Sequence, residues 1–143
     1  MVSGTCLYCN ITFKYKPSVQ TGKYCSNKCQ LDFQYLDRVK QWLAGKYAPT
    51  RGEGQVKNFI RRYLIEQHGE QCSMCGWCEV HPTTGKIPIQ RDHIDGNSEN
   101  NSPENLRLLC PNCHSLTPTY CALNKGNGRV SRRNGYNRRK TLT

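Results

Sequence analysis

The cysteines constrain this chain more than any other feature. Ten occur in 143 residues, and eight fall into two sets of paired spacings. Cys6-x2-Cys9 and Cys25-x3-Cys29 make one set; Cys72-x2-Cys75 and Cys110-x2-Cys113 make the other. A two-residue gap lets a tight turn aim both sulfurs at one point, and two such elements complete the tetrahedron at ~2.3 Å that Zn2+ prefers. The start, Met-Val-Ser-Gly-Thr-Cys, has neither a basic nor an apolar leader segment, so a reducing cytoplasm is expected, where paired cysteines serve metals more often than disulfides. A disulfide framework is the alternative. Cys78 adds a second one: Cys75 and Cys78 repeat the spacing of Cys72 and Cys75. The first pair is preferred, because Gly76 then follows the second ligand and relieves the turn. Cys121 is expected to be a structural or exposed thiol.

Composition shows why such staples are needed. Leu, Ile, Val and Phe number 26, about 18 % of the chain, below the fraction that usually supports an apolar core. Two small metal-nucleated units fit better than one ordinary globule. No stretch approaches the ~18–20 apolar residues a bilayer span requires, so no membrane partner is expected.

Charge is segregated. Residues 1–65 sum to +8, residues 66–121 to −4 and residues 122–143 to +7. Basic flanks around an acidic middle suit polyanion-binding arms joined to a site that needs carboxylates. The expected organisation is a zinc-finger module with its helix over 1–45, a linker over 46–54, a second unit over 55–121 and a flexible basic tail over 122–143.

Local patterns fill these units. Ser26 or Asn27 can cap a helix that starts between Cys25 and Cys29. Tyr35, Leu36, Val39, Trp42 and Leu43 form its apolar stripe, which Gly45 ends. A second helix is predicted over Gln55 to Gln67, with Val56, Phe59, Ile60, Tyr63 and Leu64 inward and Lys57, Arg61 and Arg62 outward. Beyond Gln71, alternation from Ile87 suggests a strand into Asp92-His93, then a polar loop from Asp95 to Pro103. A second strand over Leu106 to Leu109 follows, and a helix opens at Pro111 and ends or distorts at Pro118.

That strand, loop, strand and helix carry Asp92, His93, Asn105 and His114. A neutral imidazole can deprotonate water near pH 7. A carboxylate and a second imidazole can hold a divalent cation against a phosphate. Asn105 can orient the base through backbone or complete a coordination shell. Asp95 reads as a turn residue, and His68 and His81 as surface positions. Read structurally, Asp92-His93 can instead end a strand, and His114 can replace a zinc cysteine.

The runs Arg91-Asp-His-Ile-Asp-Gly-Asn97, Glu104-Asn-Leu106 and Leu109-Cys-Pro-Asn-Cys-His114 together resemble the HNH endonuclease family, in the version braced by a four-cysteine zinc site. The segment Ile60 to Trp77 is similar to what precedes that motif in phage-encoded HNH homing endonucleases. The resemblance spans roughly residues 55 to 130. It implies a small α+β fold with a ββα-metal core and a four-Cys structural zinc site. It also implies His93 as general base, Asp92 and His114 on one catalytic divalent ion (Mg2+ or Mn2+), and Asn105 in the family's asparagine position. The implied reaction is hydrolysis of double-stranded DNA to 5′-phosphate and 3′-hydroxyl ends, nicking or double-strand cutting, with no organic cofactor. Tyr24-Cys-Ser-Asn-Lys-Cys29 resembles treble-clef or zinc-ribbon fingers, here expected to extend a DNA site. Two structural Zn2+ are therefore expected. Arg91 and the tail residues Arg129, Arg132, Arg133, Arg138, Arg139 and Lys140 are the candidate DNA contacts, with Tyr136 available to stack. The alternatives are a non-catalytic zinc-finger DNA-binding protein or regulator, and an HNH nuclease of restriction or phage DNA packaging.

Overall fold

The computed structural model describes residues 1–47 and 54–124, the side chains of 54–57 excepted. The predicted linker core (48–53), Val56 and Lys57, and the tail residues Arg129, Arg132, Arg133, Tyr136, Arg138, Arg139 and Lys140 lie outside what is described. Two compact units form, Met1–Tyr47 and Ala48–Thr143. Among the described residues, no helix is long and apolar enough to cross a membrane.

In the first unit, β1 (Val2–Thr5) and β2 (Thr12–Tyr15) pair antiparallel, with Thr5 opposite Thr12, and α1 (Asn27–Leu43) follows. The connection between the strands is a knuckle rather than a simple turn. Cys6 N–H donates to Ile11 O at 3.0 Å and Asn10 N–H to Cys6 O at 3.0 Å. Asn10 sits at φ 60°, a conformation that asparagine tolerates better than most residues. Ser26 caps α1, its hydroxyl accepting from Cys29 N–H at 3.2 Å, which fixes Cys25 and Cys29 on either side of the helix start. The helix buries Asp32, Tyr35 and Trp42. Two members of the expected stripe are corrected: Leu36 and Leu43 are about half exposed, at 53 % and 49 %. So small a unit covers only one narrow face of the helix, and the 32, 35, 39, 42 row lies at its centre while Leu36 and Leu43 lie on its flank.

The second unit opens with α2 (Gly54–His68), which buries Phe59, Ile60 and Leu64. Arg61 does not simply face solvent, as its sequence position suggests. Its Nη1 donates to Ile89 O at 2.7 Å and its Nη2 pairs with Glu70 at 3.1 Å, so the guanidinium ties α2 to the chain entering the next strand. That strand, β3, spans Gln90–His93 and starts later than the alternation from Ile87 implies. Pro88 has no N–H to give a ladder, and Ile89 N–H turns back to Ile87 O at 2.8 Å. β3 pairs antiparallel with β4 (Leu106–Leu109), placing Asp92 opposite Arg107 and His93 opposite Leu106. Helix α3 (Pro111–Ser115) follows, with Pro111 in its first turn, and stops before Pro118, as a proline disfavours helical backbone at the residue before it.

A second knuckle repeats the first bond for bond. Cys72 N–H donates to Trp77 O at 2.9 Å and Gly76 N–H to Cys72 O at 2.8 Å, with Gly76 at φ 73°. The residue after the first cysteine docks each knuckle on the chain two residues before the third cysteine: Leu7 N–H on Lys23 O at 3.0 Å, and Ser73 N–H on Leu108 O at 2.8 Å. Around the second knuckle the core is Cys72, Leu109 and Cys110, packed by Trp77 and Cys113. Metal ligands therefore occupy the place that large aliphatic side chains hold in a bigger domain.

Candidate active site and metal centres

Each set of four cysteines converges. The sulfurs of Cys6, Cys9, Cys25 and Cys29 lie within 4.8 Å of one another, as do those of Cys72, Cys75, Cys110 and Cys113. Sγ separations of 3.6 Å (Cys9–Cys25), 3.4 Å (Cys25–Cys29) and 3.8 Å (Cys75–Cys110) compare with the ~3.8 Å edge of a tetrahedron with ~2.3 Å Zn–S bonds. Both groups fit Zn2+, and no disulfide links them. Burial resists ionising Cys6 and Cys72, yet backbone N–H donors outweigh it and bring each thiol down to about 6. Cys25 and Cys113, by contrast, are pushed up to about 12, chiefly by hydrogen bonds with Cys29 and Cys75 respectively. Cys78 is exposed and outside the group, so Cys72 with Cys75 is the pair that converges on Cys110 and Cys113. Cys121 is also an exposed thiol.

Asp92 and His93 end β3, while His114 rises from α3, which packs on β3 and β4. Asp92 is only 5 % exposed, and a buried carboxylate requires partners. It has two. Oδ2 accepts from Arg107 Nε at 2.8 Å, and Oδ1 lies 3.6 Å from His114 Nε2. The His114 ring meets Tyr120 edge-on, centroids 5.4 Å apart.

His93 is half-buried. Its Nε2 lies 3.1 Å from Asn101 Oδ1, and Asn101 Nδ2 is engaged by Glu99 O at 3.3 Å. With the amide nitrogen so engaged, the oxygen faces the imidazole, an arrangement that suits the tautomer with the proton on Nε2. Burial lowers the His93 pKa, reinforced by Arg91 and opposed by the Asn101 bond and by Asp95 and Asp92.

Asn105, 8 % exposed, closes the loop between the strands rather than touching Asp92 or His114. Its Nδ2 donates to Asp95 Oδ1 and Asn100 O, both at 2.8 Å, and its Oδ1 accepts from Asp95 N–H at 3.0 Å. Ile94 N–H donates to the Asn105 carbonyl at 2.9 Å, so both residues after His93 are pinned by this one asparagine. Asp95 serves the turn as expected: Asn100, first, and Asn97 N–H hold its carboxyl below the usual range. His68 and His81 are exposed, and His81 Nδ1 accepts from Thr83 and Thr84 N–H groups. Arg91 is partly buried on β3.

Two residues of this site escaped the sequence reading. Asn101 is one polar residue in an asparagine-rich loop, with no spacing to distinguish it. Arg107 carried a usable signal, since it stands directly opposite Asp92 once β3 and β4 are aligned in register.

Fold and site define a small α+β chain with two four-cysteine groups that fit zinc, one of them bracing a strand–loop–strand–helix that gathers Asp92, His93 and His114. Among known proteins, the chain is 41 % identical over 73 residues to the H-N-H endonuclease F-TflIV of Escherichia phage T5. That similarity supports an HNH endonuclease family for this chain. It covers 50 % of this chain and 30 % of the phage protein, so the chain spans about a third of the length of that relative. No family model and no solved structure matches.

Proposed function

We propose that this chain is a metal-dependent DNA endonuclease with a ββα-metal core, hydrolysing phosphodiester bonds in double-stranded DNA. The observation that carries the reading is the convergence of Asp92 Oδ1 and His114 Nε2, 3.6 Å apart, beside a half-buried His93 whose Nε2 is already engaged. One carboxylate oxygen and one imidazole nitrogen make a sparse donor set. It suits Mg2+ or Mn2+, ions that keep several positions for water and phosphate oxygen. When bound there, such an ion offsets charge on the phosphate and the leaving 3′ oxygen.

The chain's own groups do the rest. His93 gives its Nε2–H to Asn101, leaving the Nδ1 lone pair to take a proton from the attacking water. Burial disfavours the imidazolium and so leaves the ring neutral, with a lone pair available to accept the proton. Asn105 holds the backbone at Ile94 and Asp95 and so fixes where His93 leaves the strand. The products expected are a 5′-phosphate and a 3′-hydroxyl. Zn2+ in each four-cysteine group supplies rigidity and no chemistry, since four thiolates leave no open position. Arg91 and the tail cations supply phosphate contacts, and the first unit lengthens the site, as a homing enzyme needs.

Cleavage of supercoiled plasmid in Mg2+ or Mn2+ tests this. His93→Ala should lower the rate by at least ~100-fold while zinc content and DNA binding persist. An unchanged rate would sink the reading in favour of a non-catalytic zinc protein. Sequencing the cut ends separates homing from restriction: one long target supports the former, frequent short sites the latter.

A further inference from the structure

The metal-binding carboxylate just assigned is already neutralised. Arg107 stands opposite Asp92 in the β3–β4 register and donates Nε to Oδ2 at 2.8 Å. Its guanidinium is about one quarter exposed, so the charge is only partly screened by water. One cation is thus set directly against the carboxylate that would hold the ion. A divalent cation approaching Asp92 and His114 therefore meets a carboxylate whose charge Arg107 already balances, with two protein donors. Sites that hold Mg2+ or Ca2+ on protein alone gather several anionic oxygens; this one does not. A DNA phosphate would add the missing negative charge.

We propose that Arg107 sets the affinity of this site low, so that the catalytic ion is retained only when a DNA phosphate joins Asp92 and His114. Arg107 is a positioning residue in this account. It holds Oδ2 and leaves Oδ1 turned to His114, and its cation opposes the ion until substrate charge arrives. The inference rests on the assignment of Asp92 and His114 as metal ligands. By linkage, an ion favoured by DNA must favour DNA binding by the same factor.

The test uses the full zinc-loaded chain in a His93→Ala background, which stops hydrolysis. Mn2+ binding is followed by calorimetry without DNA, and binding of a fluorescent duplex is followed with and without Mn2+. With Arg107 present, free protein should bind Mn2+ weakly, and Mn2+ should tighten duplex binding. Arg107→Gln, which keeps a donor for Oδ2 and loses the charge, should bind free Mn2+ on the order of tenfold more tightly. Arg107→Lys, which keeps the charge, should stay as weak as the parent. If the Gln variant binds no tighter, or the Lys variant binds as tightly as Gln, the inference is overturned. Asp92→Asn is the separate control. If it leaves the Mn2+ isotherm unchanged, the metal site itself is misassigned, and the failure belongs to that reading rather than to Arg107.

Discussion

His93 Nε2 and Asn101 Oδ1 lie 3.1 Å apart, and the other end of the amide is held by Glu99 O. An asparagine eight residues along the chain thus offers an acceptor to one imidazole nitrogen and favours the tautomer protonated there. Asn101→Leu removes the acceptor and frees the ring to adopt either tautomer. Cleavage should fall by about tenfold to a hundredfold through kcat, with DNA affinity unchanged. Asn101→Asp keeps an acceptor at the same place and should recover much of the rate. Nitrogen-15 spectra of the His93 ring check the tautomer directly: the native chain should show Nε2–H alone, and the Leu variant a mixture.

The same ring should titrate low. Burial penalises the imidazolium and is the largest influence, with Arg91 acting in the same direction. Because the protonated form is the disfavoured one, His93 should stay neutral to a pH below the ordinary ~6.5. Proton NMR of the zinc-loaded chain, free of other divalent ions, measures the midpoint. A midpoint at or above the ordinary ~6.5 would contradict the burial argument.

Zinc loss should separate essential from incidental cysteines. Cys78→Ser removes an exposed thiol outside either group and should leave metal content and melting unchanged. Cys72→Ser removes a buried ligand at the centre of the second core. It should lower zinc from two ions per chain to one and unfold residues of the second unit, since metal binding there is folding free energy. Elemental analysis and circular dichroism report both effects.

Gly96 should not accept a side chain. It lies at φ 72°, and a Cβ there would stand 2.6 Å from Asn124 Oδ1 and 2.7 Å from Thr119 Cγ2. Asn124 Nδ2 also donates to the Gly96 carbonyl at 2.8 Å, so the chain after α3 is fastened over the turn that follows His93. Gly96→Ala should cost about 1–3 kcal/mol, visible as a lowered melting temperature. Asn124→Ala should release the fastening with a smaller loss.

How far the sequence could be read follows the distance over which each feature is determined. The zinc groups are local pairs. A two-residue gap, a small or αL-tolerant residue after it and a helix start three or four residues along determine sulfur positions almost without reference to the rest of the chain. Ser26 as cap, Pro111 in a first turn and Leu106–Leu109 as a strand were legible for the same reason. Long-range packing was not. Leu36 and Leu43 satisfy helical periodicity as well as Trp42 does, yet the unit has too little mass to cover them. Arg61 reads as a solvated charge until α2 lies against Ile89 O.

What only tertiary structure decided is the setting of the candidate catalytic groups. Whether Asp92 meets Arg107, whether His93 meets Asn101 and whether Asn105 reaches the backbone at Asp95 all depend on the β3–β4 register and on how the 94–105 loop closes. A one-residue slip would turn Asp92 to the opposite face of the pair. Residue types and spacing determined that this chain can carry metal and a base. The register and the loop decided which Asp92 oxygen faces His114, which His93 nitrogen faces Asn101 and which cation stands beside the carboxylate.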